Sequence, residues 1–168
     1  MTQEKSRRAV VAGLVFAVTV VGGLGGMSAR AESNGPGVVT LTQTGCQFVE
    51  AENGLDRGYA PNSAADCRSI NGTSASDRLA KSKPITLKAG KYVFRVSNKN
   101  VPYMLGFWLR SKDYDSQNPL HQLTRTSISG GGLSTGATRD FEVTLKPGEY
   151  LYSCPLNPTP DYPLVVTQ

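Results

Sequence analysis

Histidine is nearly absent from this sequence: His121 is the only one in 168 residues, alongside one tryptophan and three methionines. A single histidine with no serine motif beside it gives a Ser-His-Asp hydrolase no footing. No pair of carboxylates stands out for acid–base work. Gly130-Gly131-Gly132 lacks the strand-to-helix setting of a phosphate loop. Arginine and lysine form no run interleaved with aromatics, so nucleic acid is not an expected partner. An enzyme is not expected.

The formal charge of +5 belongs partly to the first residues. Lys5, Arg7 and Arg8 precede a mostly apolar, uncharged stretch from Ala9 to Gly26, and Ala29-Arg30-Ala31 forms an A-x-A cleavage pattern. Residues 1–31 therefore read as a secretory signal peptide, with a periplasmic or secreted location for the rest. The competing reading is an uncleaved anchor, the one case in which a membrane would be a partner. Ser6-Arg7-Arg8 opens like a twin-arginine signal, but Val10 and Val11 do not continue it, so the export route stays open. Removing 1–31 takes four cations (Lys5, Arg7, Arg8, Arg30) and one anion (Glu4) from the 18 and 13 of the whole chain, leaving 14 against 12, a net of about +2. Residues 32–168 suffice for one domain.

Three cysteines remain in that part, and they allow three pairings. Cys46 with Cys67 is favoured because both lie in the N-terminal part; it would close a loop of about 20 residues, worth about 3 kcal/mol. Cys154 is then the odd thiol.

Alternation and turn residues give an almost purely β pattern. Strands are expected at Val38–Gln43, at Cys46–Ala51, around Ile85 and Leu87, through Tyr92, Phe94 and Val96, at Tyr103–Arg110, near Leu123–Ile128, through Phe141–Leu145, through Tyr150–Cys154, and at Leu164–Thr167. Residues 52–73 carry Asn53-Gly54, Pro61-Asn62 and Asn71-Gly72 and read as a long loop closed by the disulfide, followed by a helical turn within 74–81. Leu87-Lys-Ala-Gly-Lys-Tyr92-Val-Phe94 is echoed by Leu145-Lys-Pro-Gly-Glu-Tyr150-Leu-Tyr152, which implies two similar corners in one sandwich. The fold class is all-β, a Greek-key β-sandwich.

The stretch Pro84 to Asn98, then Val101-Pro102-Tyr103, then Phe141 to Pro155 with Gly148-x-Tyr150-x-Tyr152-x-Cys154-Pro155, resembles the cupredoxin family over roughly residues 84–168. That resemblance implies a copper site from two histidines, a cysteine and usually a methionine. Here Tyr103 stands at the first histidine position and Asn157 at the second. Cys154 is kept, and no methionine follows it. A phenol with a pKa near ~10 and a carboxamide are poor replacements for imidazole. A blue-copper centre is therefore not expected.

The reading is an exported cupredoxin-like binding or accessory module without a cofactor. It would engage an unknown periplasmic protein or a small ligand at the end holding Tyr103, Cys154 and Asn157. Tyr103, Trp108, Tyr114 and Tyr162 are candidates for an aromatic cluster at that end. The alternative is copper held by Cys154, Met104 and His121 for trafficking or electron transfer. Asn71-Gly72-Thr73 also matches a glycosylation sequon.

Overall fold

The strands form where apolar residues alternate, so that Leu41, Phe94, Val96, Phe107, Leu109, Phe141, Tyr152 and Leu164 all turn inward. The computed structural model describes residues 35–168, and the signal segment expected at 1–31 lies outside them. The strands are β1 (Gly37–Thr44), β2 (Gln47–Phe48), β3 (Ile85–Lys88), β4 (Gly90–Asn98), β5 (Leu105–Ser111), β6 (Ser127–Leu133), β7 (Thr138–Leu145), β8 (Gly148–Ser153) and β9 (Tyr162–Thr167). They build two sheets, ordered β2-β1-β4-β7 and β3-β9-β8-β5-β6. The chain passes between the sheets at the β2–β3, β3–β4, β4–β5, β6–β7 and β7–β8 links, which makes a β-sandwich. Two neighbouring pairs, β1 with β4 and β3 with β9, are parallel.

Aromatic rings fill the space between the sheets. Phe107 stacks on Phe94 at 5.7 Å and meets Phe141 at 5.1 Å, while Phe48 packs edge-on against Tyr152 at 5.4 Å. Each such buried side chain contributes about 1.5–3 kcal/mol. Gly130 belongs to this packing, because a Cβ there would lie 2.8 Å from the Phe141 ring. The run Gly130-Gly131-Gly132 thus lies within β6.

The sequence echo has a structural counterpart. The Tyr92 hydroxyl donates to Lys88 O at 2.9 Å, and the Tyr150 hydroxyl donates to Lys146 O at 2.8 Å. Each tyrosine closes the corner that its own glycine opens.

Three expectations about local structure are corrected. The second strand spans only Gln47–Phe48 and gives way to a 3₁₀ turn at Glu50–Glu52. Residues near 123–128 are not a strand throughout: a short helix, α2, occupies Pro119–Thr124, with Asn118 Oδ1 accepting from Leu120 N–H at its start. The largest difference is α1, an 18-residue helix at Ala64–Lys81 where a loop and one turn were expected. Asp66 starts it by accepting the N–H groups of Asn62 (2.8 Å) and Ser63 (3.0 Å) in a capping box. Its buried residues are Cys67 and Arg78. A helix held by a disulfide and an ion pair has no apolar stripe for periodicity to reveal.

Cys46 and Cys67 are bonded, with Cα atoms 5.0 Å apart. Arg78 supplies the second tether. Its Nε and Nη2 donate to Glu52 Oε1 at 2.9 and 2.5 Å, and Nη2 also donates to Cys46 O at 3.0 Å. The Tyr162 hydroxyl donates to the same carboxylate oxygen at 2.5 Å, and Arg57 pairs with Oε2. Burial alone would raise the Glu52 carboxyl. The donors from Arg78, Tyr162 and Arg57 outweigh it and hold the group below the ordinary carboxylate range.

Arg78→Ala leaves Glu52 buried without its main partner and is expected to lower unfolding stability by about 3–5 kcal/mol in urea titration. Arg57→Ala, at a partly exposed pair, is expected to cost about 1 kcal/mol or less. Because the folded Glu52 pKa is depressed, its contribution is complete above the unfolded value near 4.5 and is lost as pH falls through the folded value. Thermal melts from pH 6 downward in wild type and Glu52→Gln check the sign: the Gln variant should lose less stability in that range.

Candidate functional site

Cys154 follows directly on β8, and its side chain turns into the end of the sandwich, only 1% exposed. Its sulfur accepts two backbone donors, Gly106 N–H at 3.3 Å and Asn157 N–H at 3.2 Å. Thr159 Oγ1 accepts the Cys154 N–H at 3.0 Å and shapes the loop that brings Asn157 round. Burial pushes the Cys154 thiol up, and the backbone donors from Gly106, Asn157 and Leu156 only partly offset it.

Asn157 is fully buried and every polar group on its side chain has a partner. Its Oδ1 accepts Cys46 N–H at 3.0 Å and the Tyr103 hydroxyl at 3.1 Å, and lies 3.0 Å from the bonded Cys67 sulfur. Its Nδ2 donates to Thr44 O at 3.0 Å. One carboxamide therefore links the loop after β8 to the β1–β2 turn, to α1 and to the segment before β5. Tyr103 is half-buried, and its phenol is pushed up by burial, by the nearby Cys154 and by Asp66.

The structure brings Tyr103, Cys154 and Asn157 together. It does not bring His121 or Met104 to them. His121 sits on α2, beyond the Ser111 end of β5, where Nδ1 accepts Asp115 N–H at 3.1 Å. Gly106 and Cys154 are at the other end of that strand, about 20 Å away at the rise of an extended chain. Met104 turns to solvent, 58% exposed. The Cys154, Met104, His121 set is corrected accordingly: one sheet length separates its nitrogen from its thiolate.

The expected aromatic cluster does not form either. Tyr162 is core, fully buried against Phe48 and Tyr152. Trp108 packs edge-on against Tyr114, with the Arg110 guanidinium 3.9 Å over its ring. Of the four, only Tyr103 touches Asn157. The Asn71 amide is also committed, donating to Pro158 O and Cys46 O, which leaves the sequon no free acceptor nitrogen.

Sequence reasoning missed Gln43, Glu52, Asn71 and Arg78. Gln43 is fully buried and reaches across the sandwich to donate to Gly106 O at 2.8 Å. A glutamine at an inward position of β1 is the signal that was available. For Arg78 the chain offers none, since a polar helix normally turns its arginines outward.

A cleft of about 260 Å³ opens beside Tyr103, lined by Tyr59, Pro61, Asn62, Asn100, Val101 and Pro102. Among the described residues, no group of three or more His, Cys, Asp or Glu side chains is placed to hold a metal.

No family model matches the sequence. No curated protein matches it. Solved structures similar to the chain include auracyanin B (TM-score 0.47, 15% identity, 78% of this chain and 88% of that one). Auracyanin A, a "blue" copper protein from Chloroflexus aurantiacus, is similar at TM-score 0.46 and 16% identity over 79% of this chain and 99% of that one. A multi-copper oxidase from Pediococcus acidilactici is similar at TM-score 0.40 and 13% identity, over 80% of this chain and 27% of that one.

Asn157→Ala strands Cys46 N–H, Thr44 O and the Tyr103 hydroxyl at the Cys154 end. Each buried group left unpaired costs about 1–3 kcal/mol, so this variant should melt well below Tyr103→Phe, which strands none of the backbone groups. Differential scanning calorimetry of the two, side by side, checks the order.

Proposed function

We propose that the protein is an exported, cupredoxin-like, non-enzymatic binding module that carries no metal. Its partner would be a periplasmic protein or small ligand that fits the cleft beside Tyr103. The observation that carries this reading is the saturation of Asn157. A metal in this place needs donor atoms whose lone pairs point at one shared position. Asn157 Oδ1 instead accepts from Cys46 N–H and from Tyr103, and Tyr103 spends its proton on that oxygen. Copper does not fit this donor set: one buried thiol remains, with neither imidazole nor thioether beside it.

The end of the sandwich supplies what a binding surface needs. Pro102 and Tyr59 give apolar area at low conformational cost over a floor of buried Val101 and Pro61, and Asn62 and Asn100 give amide groups at the rim. Behind the cleft, the Arg78 guanidinium lies 5.4 Å over the Tyr59 ring and Gly45 packs against Tyr59 O.

Titration of the oxidised protein with Cu(II), and with Cu(I) against a chelator, is expected to show no competition and no thiolate-to-copper absorption near ~600 nm. An intense band there would overturn the reading. Pull-down from a periplasmic extract with wild type and with Pro102→Arg, which places a long charged side chain at the cleft, tests the binding half: a specific partner should be retained by wild type and lost by the variant.

A further inference from the structure

All three cysteines of the chain meet at one residue, Asn157. Asn157 Oδ1 lies 3.0 Å from Cys67 Sγ, and Asn157 N–H donates to Cys154 Sγ at 3.2 Å. Cys46 N–H donates to the same Oδ1 at 3.0 Å. A bonded pair and a free thiol are thus held against different atoms of a single asparagine. Tyr103 closes the same space, its hydroxyl 3.7 Å from Cys67 Sγ. Cys46 and Cys67 are fully buried and Cys154 is 1% exposed. Thiols from solution are kept away from this disulfide, and the one free thiol in the chain is built beside it. The binding role proposed above makes no use of that thiol.

We propose that Cys154 is an internal exchange partner for the Cys46–Cys67 disulfide, with Asn157 as the wedge between them. Cys154 gives up its proton and its sulfur attacks Cys67 Sγ, the bridged sulfur that lies against Asn157. The Cys46–Cys67 bond breaks as a Cys67–Cys154 bond forms, and Cys46 leaves as a thiolate that takes up the proton. One disulfide and one thiol stand on each side, so the step needs neither oxidant nor reductant. Backbone N–H groups of Gly106 and Asn157 already point at the attacking sulfur.

The exchange would move the covalent tether of α1. In the structure α1 is bonded to the β1–β2 turn, where Cys46 has a positive φ of 62°. After exchange α1 would be bonded to the loop following β8, and the turn at Gly45-Cys46 would keep its hydrogen bonds to Arg78, Asn71 and Asn157 without the covalent tether. The tight seat of that turn, where a Cβ on Gly45 would fall 2.1 Å from Tyr59 O, ties its position to the wall of the cleft. The sulfur pairing is thereby coupled to the shape of the binding surface.

The test maps disulfides in the full chain, purified without reductant, then denatured in acid, alkylated with a maleimide and digested for mass spectrometry. Four folded samples are compared after incubation at neutral pH: wild type, Asn157→Ala, Cys154→Ser, and Cys46→Ser refolded in the presence of oxidised glutathione. The expected result is a shift of the label from Cys154 to Cys46, with a Cys67–Cys154 linked peptide, that is larger in Asn157→Ala than in wild type. Cys46→Ser should lose both free thiols to the same linked peptide, and Cys154→Ser should never show label on Cys46. If Cys46 stays unlabelled in wild type and Asn157→Ala, or if Cys46→Ser keeps its two thiols, the proposal is overturned. A copper titration that failed or succeeded would leave this result unchanged, so the two readings fall separately.

Discussion

The guanidinium of Arg78 is the point on which the Cys154 end depends. It is 3% exposed, and it reaches from α1 to Glu52 in the 3₁₀ turn, to Cys46 O in the β1–β2 turn, and to the Tyr162 hydroxyl on β9. A buried cation is expensive to desolvate and is held only when its donors are matched to acceptors of fixed geometry. Here the acceptors come from three separate segments, so those segments must arrive together for any of them to be satisfied. Asn71, about two helical turns earlier on α1, accepts from Arg78 and extends the same requirement to Pro158 and hence to the loop that carries Asn157. The apolar core holds the two sheets together. This polar set fixes how their loops meet.

The disulfide acts on the same segments by another physical route. It restricts the unfolded chain between the β1–β2 turn and α1, and that favours the state in which Arg78 finds its acceptors. The entropic tether and the ion pair therefore support one arrangement, and α1 can be polar on nearly every face and still be held. The opposite end has no equivalent. There α2 buries none of its residues, with Leu120 63% and Leu123 85% exposed, and surface pairs such as Lys112–Glu149 contribute little. Buried polar contacts between loops are concentrated at the end with Tyr103, Cys154 and Asn157.

What could be read in advance follows from the kind of force involved. Strands with inward aromatics at alternate positions, and the two glycine-tyrosine corners, announce themselves because local pattern and tertiary burial agree. Tyr103, Cys154 and Asn157 were singled out instead by the resemblance to cupredoxins, which marks those positions relative to the strands around them. α1 was hidden because Asn71-Gly72-Thr73, turn formers by local preference, are carried in mid-helix by tethers at Cys67 and Arg78. The sequence did hold one signal for it, Ser63-Ala-Ala-Asp66, a capping pattern. His121 was misplaced for a different reason. Its neighbours show only that it is in a connection, and whether that connection lies at one end of β5 or the other is decided by where β5 begins.

The chemistry of the Cys154 end follows from which donors are still free there. A carboxamide differs from an imidazole in having both a donor and an acceptor on one short side chain, and Asn157 uses both at once, Nδ2 toward Thr44 O and Oδ1 toward Cys46 N–H. Those partners are backbone groups of β1 and its turn, which would otherwise be buried without partners. Asn157 is thus a structural residue by the same criterion that would have made an imidazole a ligand: where its lone pairs point. The sulfur of Cys154 is treated differently, since it receives donors and gives none that the structure requires. Of the groups at this end, the thiol alone retains reactivity that the fold does not consume.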